Sequence, residues 1–226
     1  MPIPESVNRK SPRMPYAARV PEEAVKKRGR PPAGIREAIA AAALQVIEEA
    51  GLGRLTTKEV AERAGASEAS VYYHFKDKVG LVQAVVELGL EPVREISATE
   101  FGKLVEQPLA EGLNEISRAF ERFFTRVMPI FAAIQGDAEL RQEFGRRMTA
   151  QDLGPHRGVE AIATFLTAQQ ARGRVRADVD VEAVALELIG SCFLRTFMGH
   201  LLGKPELVPG RERTARALAA QLEPRE

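Results

Sequence analysis

The sequence predicts an all-α protein in which an N-terminal three-helix, helix-turn-helix domain precedes a larger C-terminal helical domain. Apolar residues recur at helical spacing from Ile35 nearly to the C-terminus. Between Thr56 and Lys78, two short helical patterns meet at a glycine turn. A length of 226 residues allows one small and one larger domain, each with a core of its own. We expect the following organisation: an arm at 1–33, the helix-turn-helix domain at 34–80 and the C-terminal domain at 81–226.

The N-terminal arm is basic and rich in proline. Residues 1–36 contain nine Lys or Arg and three Glu, although the whole chain has a net charge of only +1. Seven prolines and few large apolar side chains predict that residues 1–33 are disordered when free. The positive charge is therefore concentrated at one end of the chain, where it favours an anionic partner.

A short motif closes this arm. Arg28, Gly29, Arg30 and Pro31 resemble the core of an AT-hook, in which glycine permits close approach and arginines lie in the negative potential of a narrow minor groove. Its position directly before the first helix suits an arm that reaches into an adjacent minor groove. The alternative is a basic tail that attracts phosphates without groove geometry. Either arrangement raises the affinity for nucleic acid and its dependence on salt.

The first predicted helix follows the arm and ends at Gly51, a residue suited to a helix C-cap. Its apolar side chains recur at helical spacing and are Ile35, Ile39, Ala42, Ala43, Val46, Ile47 and Ala50. We interpret it as a scaffold for the two shorter helices that follow.

These two helices have clear start signals. Thr56 opens the first with the Thr-x-x-Glu pattern of a capping box. Gly65 makes the turn, and Ser67 is placed to cap the second helix. Within that helix Val71 and Phe75 lie four residues apart and point the same way, which assigns both to the core.

The outward face of the second helix combines small residues with aromatic ones, unlike the flexible charged side chains of an ordinary surface helix. It carries Glu68, Ala69, Ser70, Tyr72, Tyr73 and His74. Small side chains allow the backbone of a helix to approach another molecule closely. The DNA major groove, about 12 Å wide, admits a helix with its N-terminal residues against base edges and polar side chains against phosphates. The pattern is therefore typical of a DNA-reading helix.

The run AGASEASVYYHFKDKVGLVQAV resembles the DNA-binding segment of the TetR family of bacterial transcriptional regulators. The resemblance rests on the glycine turn, Tyr-x-His-Phe, a lysine three residues after the phenylalanine and a following leucine-rich helix. It covers residues 35–88, and beyond them the chain is similar to the family only in length and helical character. The alternative is a generic helical hairpin with accidental aromatic residues.

The resemblance implies a role for each outward residue. Four approach base edges, namely Glu68, Ala69, Ser70 and Tyr73. Three hold the DNA backbone, namely Tyr72, His74 and Lys78. Two alternatives stay open. Glu68 can instead stabilise the N-terminal end of its helix through the helix dipole and shape the site only by excluding unsuitable bases. His74 can instead be a partly buried residue under Lys78.

The start of the preceding helix offers another phosphate contact. At Thr57 and Lys58 a hydroxyl, a cation and free backbone N–H groups can meet one phosphate. The alternative for Thr57 is a purely capping role.

Helical periodicity continues through the C-terminal half. A helix from residue 79 to residue 91 links the DNA reader to the rest of the chain, and Pro92 is expected to kink or restart it. A helix at 109–127 is expected to end at Pro129. Further helices are predicted at 138–149, 158–172, 181–202 and 211–222.

Most of the ten phenylalanines lie between residues 101 and 197. In the TetR family this region encloses a small-molecule cavity, and phenylalanine with methionine suits an apolar, adaptable pocket. The resemblance therefore implies a ligand pocket lined by Phe101, Leu104, Phe120, Phe124, Met128, Phe131, Phe144 and Met148. The alternative is a filled apolar core.

Gly190 and Gly199 interrupt the helix at 181–202. Glycine in a helix interior costs about 1 kcal/mol relative to alanine, so two of them indicate close helix packing. By resemblance, this helix and the one at 158–172 form a four-helix interface between two subunits. The residues assigned to it are Phe165, Leu188, Cys192, Phe193 and Phe197. The alternative is a helix pair packed within one chain.

The sequence contains no P-loop, GxGxxG or Gly-x-Ser-x-Gly motif, and its three histidines are far apart. Cys192, the sole cysteine, excludes an internal disulfide framework and is expected to be an inert buried thiol in a reducing compartment. The alternative is a redox sensor beside Arg195. No apolar run reaches the ~18 residues that span a bilayer, and residues 1–33 are too charged and too rich in proline to be expected to act as a secretory segment. We expect a cytoplasmic protein that is not an enzyme and has no cofactor or metal.

Together these features predict a homodimeric regulator that binds a palindromic double-stranded DNA operator and acts as a repressor released by a small apolar ligand. Two recognition helices about 34 Å apart would read one face of the duplex. A ligand in the C-terminal interior would favour a state in which that spacing no longer fits. Two alternatives are a ligand-independent architectural DNA-binding protein and a small-molecule carrier without DNA binding.

Overall fold

The computed structural model describes residues 34–96 and 101–224, and all regular elements in these ranges are helical. The α-helices are α1 (Ile35–Ala50), α2 (Thr57–Ala64), α3 (Glu68–Phe75), α4 (Lys78–Gly89), α5 (Glu91–Glu95), α6 (Phe101–Glu106), α7 (Leu109–Gly136), α8 (Ala138–Ala150), α9 (Pro155–Ala171), α10 (Val181–Leu202) and α11 (Arg211–Leu222). Single 3-10 turns lie at Leu52–Arg54 and Pro205–Leu207. The predicted all-α fold, with a three-helix N-terminal unit before a larger helical part, is confirmed.

Capping residues define α2 and α3. The Glu59 N–H donates to Thr56 Oγ1 at 3.1 Å where α2 begins. The Ser70 N–H donates to Ser67 Oγ at 3.1 Å where α3 begins. Gly65 between them has φ 62°, a left-handed conformation that glycine adopts without steric cost. The predicted caps and the glycine turn are therefore confirmed.

A small apolar core fixes the orientation of α3. Val71 and Phe75 are buried on its inner face, and Leu52 and Leu55 close the core from the preceding turn. α1 packs against both α2 and α3. Because this core determines which side of α3 points inward, it also determines which side points outward.

Helix α4 connects this core to the C-terminal helices, since it packs against α1 and α3 and also against α7 and α8. At its end, a Cβ on Gly89 would lie 2.7 Å from Cγ1 of Val127, so α4 and α7 are in close contact. α5 then places Pro92 in its first turn, where the missing N–H needs no intrahelical acceptor. Of the two effects expected of Pro92, a kink or a restart, the structure has the restart, and the linking helix ends at Gly89, two residues earlier than predicted.

The prediction that Pro129 ends a helix is wrong, because α7 continues through it to Gly136. Proline in a helix interior removes one hydrogen bond and costs about 3 kcal/mol. Ile130 and Ile134 are buried beyond it, and burial of such a side chain contributes about 1.5–3 kcal/mol. Apolar burial on both sides of the proline therefore offsets its cost.

The other predicted bounds need smaller changes. α9 begins at Pro155 instead of Gly158, because proline fits the first turn of a helix, and it ends one residue earlier than expected. α8 extends one residue further, to Ala150. The bounds of α10 and α11 are as predicted.

Helix α7 is the centre of the C-terminal part and packs against α4, α5, α10 and α11. One carboxylate joins three of these helices. Glu121 on α7 accepts hydrogen bonds from Arg195 Nε of α10 at 2.5 Å and from Arg211 Nη1 of α11 at 2.9 Å. Since Arg195 is largely buried, this pairing offsets part of the cost of desolvating its charge.

The thiol of Cys192 is sealed inside this packing. It is 0% exposed and donates towards the Ser117 carbonyl oxygen at 3.8 Å. Burial raises the pKa of the Cys192 thiol above its ordinary value. The predicted burial of this thiol is confirmed, and Cys192 lacks the exposure that a redox sensor requires.

Candidate nucleic-acid interface

The outer face of α3 exposes two large aromatic side chains. Tyr72 is 66% exposed and Tyr73 is 74% exposed. Glu68 and Ala69 are exposed beside them, and Ser70 is half-buried. Side chains of this size are seldom left open on one short helix unless the surface meets a partner. The structure therefore brings the residues predicted to face base edges onto one accessible surface.

The N-terminal ends of α2 and α3 are linked by a hydrogen bond. Thr57 Oγ1 donates to Glu68 Oε2 at 3.1 Å. The cap of α2 is the side chain of Thr56, so Thr57 is not the capping residue. A carboxylate thus lies directly beside the hydroxyl that was predicted to meet a phosphate.

Three lysines lie at the ends of α2, α3 and α4. Lys58 and Lys76 are exposed and Lys78 is half-buried at the first position of α4. No acid lies within ion-pair distance of these three lysines in the described part of the chain, whereas Arg63 on α2 pairs with Glu49 and Glu59. The three lysine charges are therefore available to phosphates.

The backbone of the turn between α3 and α4 is strained at Lys76. Lys76 has φ 63° and ψ −46°, a conformation that is strained for a residue with a side chain. Asp77 caps α4 by accepting a hydrogen bond from the Gly80 N–H at 2.8 Å. A Cβ on Gly80 would lie 2.1 Å from the Phe75 carbonyl oxygen, so only glycine fits there. Lys78 owes its position to this turn.

Sequence reasoning missed the part that α8 plays at this turn. Arg147 donates from Nη1 to Asp77 Oδ1 at 3.0 Å and from Nη2 to Asp77 Oδ2 at 2.6 Å. The Arg147 guanidinium holds the pKa of Asp77 below its ordinary value. The two residues are 70 positions apart, and no sequence motif connects them. The one signal of this turn in the sequence is the aspartate directly before Lys78, a residue type suited to a helix N-cap.

The position of His74 is compatible with both of its predicted roles. It is half-buried, its ring meets the Tyr73 ring edge-on at a centroid distance of 5.1 Å, and its Nε2 is buried without a hydrogen-bond partner. A backbone-holding role and a role as a partly buried residue both stay predictions. The proposed minor-groove residues Arg28, Gly29 and Arg30 belong to the arm at 1–33, outside the described residues.

The residues assigned to a ligand pocket lie on α6, α7 and α8. Leu104, Phe120, Phe124 and Met128 are buried, whereas Phe101, Phe131, Phe144 and Met148 are half-buried. The rings of Phe120 and Phe124 lie 6.4 Å apart, and those of Phe101 and Phe165 meet edge-on at 6.5 Å. A surface hollow of about 490 Å³ lies elsewhere, between α10 and α11, and none of these eight residues lines it.

The residues assigned to a dimer interface are divided between two faces of their helices. Phe165, Leu188 and Cys192 are buried within the chain and offer no surface to a second copy. Phe193 and Phe197 are exposed, and their rings stack with centroids 6.0 Å apart. The exposed apolar face of α10 that contains them also includes Leu186, Gly190, Leu194 and Leu201.

In the described ranges, no group of three His, Cys, Asp or Glu side chains is placed to hold a metal ion. None of the helices described is both long and apolar enough to cross a bilayer.

Two family models match the chain. One, for bacterial regulatory proteins of the tetR family, matches residues 39–85. The other, for the C-terminal domain of AefR-like transcriptional repressors, matches residues 111–223. The two matches together include the helix-turn-helix and most of the helices behind it.

Curated relatives align over part of their length. The chain is 40% identical over 52 residues to the tetracycline repressor protein class C of Escherichia coli, which covers 23% of this chain and 24% of that protein. It is 29% identical over 119 residues to the nucleoid occlusion factor SlmA of Pectobacterium carotovorum, which covers 52% of each chain. The chain therefore spans between about a quarter and a half of the length of these relatives.

A solved structure shares the fold over most of both chains. It is the transcriptional regulator FadR from Bacillus subtilis in complex with stearoyl-CoA, with a TM-score of 0.55 and 15% sequence identity. The alignment covers 83% of this chain and 97% of that one. At this identity the likeness concerns the fold alone.

Proposed function

We propose that this chain, which belongs to the TetR family of bacterial regulatory proteins, is a DNA-binding transcriptional repressor that a small apolar ligand releases from its operator. The observation that carries the proposal is the outer face of α3. Tyr72 and Tyr73 are exposed there, and Lys58, Lys76 and Lys78, at the ends of α2, α3 and α4, have no acidic partner among the described residues. Exposed hydrogen-bonding aromatic side chains, together with such cations at the helix ends, suit a DNA groove and its flanking phosphates.

Base reading depends mainly on Ser70 and Tyr73 in this proposal. Ser70 can donate or accept a hydrogen bond, and Ala69 can meet a thymine methyl group. Glu68 is engaged by the Thr57 hydroxyl, which favours a role in holding the two helices together and in excluding unsuitable bases. Tyr72, His74 and Lys78, with Lys58, are assigned to the DNA backbone.

A homodimer would place two such helices on one face of the duplex. The exposed face of α10 supports this step, because Leu186, Phe193, Leu194, Phe197 and Leu201 form a continuous apolar surface. Gly190 lies near the middle of that face, and no atom lies within 4 Å of the position of its missing Cβ, which leaves room for a second helix. On α9 the neighbouring exposed residues are small, among them Ala161 and Thr164. We therefore assign the dimer contact to these residues, without the three buried ones.

Ligand release is supported by the position of α4. This helix packs against α1 and α3 of the DNA-binding unit and also against α7 and α8, which carry most of the proposed pocket. The fold neighbour FadR is a complex with stearoyl-CoA, a molecule with a long apolar chain. A ligand that binds one arrangement of α7 and α8 more tightly would shift the spacing of the two recognition helices.

A ligand-independent architectural DNA-binding protein is the second candidate. It is favoured by the likeness to the nucleoid occlusion factor SlmA, which extends over 119 residues and so beyond the helix-turn-helix. In that case the interior would be filled and would not respond to a small molecule.

One titration distinguishes these candidates. Duplexes selected by the protein from a random-sequence pool, and unselected duplexes of the same length, are titrated at several salt concentrations. A preference for selected duplexes that survives moderate salt is expected of the repressor, whereas uniform binding to every duplex would support the architectural protein. Native mass spectrometry of the purified protein then tests for a retained apolar ligand.

A further inference from the structure

The C-terminal part of the chain contacts the DNA-binding unit through a bidentate ion pair. Arg147 on α8 donates two hydrogen bonds to the two carboxylate oxygens of Asp77, at 3.0 and 2.6 Å. Asp77 lies in the turn between α3 and α4. Bidentate pairing of this kind fixes orientation as well as distance. The end of α8 is thereby held against the turn from which Lys78 emerges.

Two further contacts hold Arg147 and α8 in place. Glu143, one turn earlier on α8, accepts a hydrogen bond from Arg147 Nε at 2.7 Å. Close by, Gln83 Nε2 on α4 donates to Gln151 Oε1 at 2.8 Å. The guanidinium is thus fixed by its own helix while it reaches across to the turn.

The turn needs such support. Lys76 adopts a strained conformation with φ 63°, and such conformations persist where surrounding contacts enforce them. Asp77 follows it and has two tasks, because the same carboxylate accepts the Gly80 N–H that caps α4 and pairs with Arg147. Loss of Arg147 would free one side of this carboxylate and relax the turn.

Charge gives Arg147 a second effect. Asp77 directly precedes Lys78, which we assign to a phosphate, so its carboxylate adds a negative charge to a segment that is expected to lie near the DNA backbone. An unpaired carboxylate there would repel the DNA backbone. Arg147 supplies the opposite charge from the side of α8.

We infer that Arg147 is a positioning residue for DNA binding, which sets the α3–α4 turn and cancels the charge of Asp77 without touching DNA. This inference rests on the proposed function, because it assumes that Lys78 meets a phosphate. α8 also carries Phe144 and Met148 of the proposed pocket, so a ligand that moved α8 would act directly on the turn.

A double-mutant cycle tests the inference. Arg147→Met removes the guanidinium, and Asp77→Asn removes the charge while it keeps a side-chain oxygen that can cap α4. The affinity of each variant and of the double variant is measured on a duplex selected from a random-sequence pool by the unaltered protein. Arg147→Met is expected to weaken binding about 10-fold, and in the Asp77→Asn background it is expected to have little effect, because coupled residues are not additive.

Two controls separate positioning from other roles. Arg146→Met removes a neighbouring exposed arginine that pairs with Glu143 and is expected to leave affinity unchanged. Arg147→Lys keeps the positive charge but cannot make both hydrogen bonds to Asp77, so a loss of affinity smaller than that of Arg147→Met is expected. The same variant replaces Arg147→Met in the cycle if Arg147→Met does not fold.

The salt dependence gives an independent readout. In the Asp77→Asn background, which has no carboxylate to repel DNA, Arg147→Met should leave the slope of log affinity against log salt unchanged, whereas the loss of a residue that contacts a phosphate lowers that slope by about 0.9. Additive effects in the cycle, or a reduced slope, would overturn the inference. If the unaltered protein selects no duplex from the pool, the proposed function itself is wrong.

Discussion

Thr57 on α2 donates a hydrogen bond of 3.1 Å to the carboxylate of Glu68 on α3, so the two helices nearest the proposed DNA site are joined at their N-terminal ends. This contact holds α3 in register with α2. It also places a negative charge at a surface where phosphates are expected, and the two effects can be separated by substitution.

Glu68→Gln should raise the affinity for every duplex by about 3- to 10-fold. The amide oxygen can still accept the Thr57 hydrogen bond, while the charge that repels phosphate is removed. Fluorescence anisotropy with labelled duplexes measures the change, and Glu139→Gln, an exposed acid on α8, is the matched control. A loss of affinity confined to duplexes with particular C·G pairs would instead show that Glu68 reads cytosine.

Tyr73→Ala and Lys78→Ala should act differently. Tyr73→Ala is expected to reduce the ratio of selected to random duplex binding about 10-fold, since a good base contact contributes roughly 1–3 kcal/mol of discrimination. Lys78→Ala is expected to weaken binding to all duplexes and to lower the salt slope by about 0.9. Titrations on both duplexes at several salt concentrations check this, and equal effects of the two substitutions on random duplex would contradict the assigned roles.

Leu186→Glu and Phe197→Glu should separate the proposed dimer. Each places a charge on the exposed apolar face of α10, where central residues of an interface often contribute at least ~2 kcal/mol, so the dimer dissociation constant should rise by about 30-fold or more. Sedimentation velocity over a concentration series measures it. Leu207→Glu is the control, because Leu207 is comparably exposed in the turn after α10. A chain that stays dimeric in both α10 variants would assign the contact to another surface.

Gly80→Ala and Gly145→Ala should shift stability in opposite directions. A Cβ on Gly80 would lie 2.1 Å from the Phe75 carbonyl oxygen, so a loss of about 2–4 kcal/mol is expected in urea unfolding. No atom lies within 4 Å of the corresponding position at Gly145, inside α8, and alanine there should stabilise by up to about 1 kcal/mol. Equal changes in both variants would show that the turn before α4 can relax.

The ion pairs of Arg147 should make stability fall in acid. Hydrogen bonds from Arg146 and Arg147 lower the pKa of Glu143 from 4.5 to about 2, and Arg147 also lowers the pKa of Asp77. A depressed carboxylate pKa contributes stability that is present above the unfolded value, so this contribution is lost as pH falls from about 4.5 towards 2. In urea unfolding between these pH values, the free energy of unfolding of Glu143→Gln should decline less with falling pH than that of the unaltered protein. The same decline in both proteins would contradict a contribution of Glu143 to this pH dependence.

Local patterns predicted the fold because helix starts and turns depend on near neighbours. Thr56, Gly65 and Ser67 act within a few residues of their own positions, and so the caps could be read from sequence. Pro129 was misjudged because its effect depends on burial from distant helices. The contact between Asp77 and Arg147 has no local signal either, since packing of α8 on α4 creates it.

The two faces of α10 show a different limit. This helix is apolar nearly all round, so its period does not tell which side meets α7 and which side stays open. Leu188 and Cys192 lie on the first side and Phe197 lies on the second, whereas Phe193 is partly exposed but its ring meets Phe124 of α7 edge-on at 5.4 Å. Tertiary packing was needed to separate them, and for the same reason the exposed contact surface was only partly predicted.

The burial of Cys192 leaves the protein without an accessible native sulfhydryl, because this is the sole cysteine of the chain. A cysteine introduced at a solvent-facing position would therefore be the single target for a thiol-reactive spin label or fluorophore. In a homodimer, one such probe per subunit gives a symmetric pair. The distance within that pair would report directly how far apart the recognition helices stand with and without an effector.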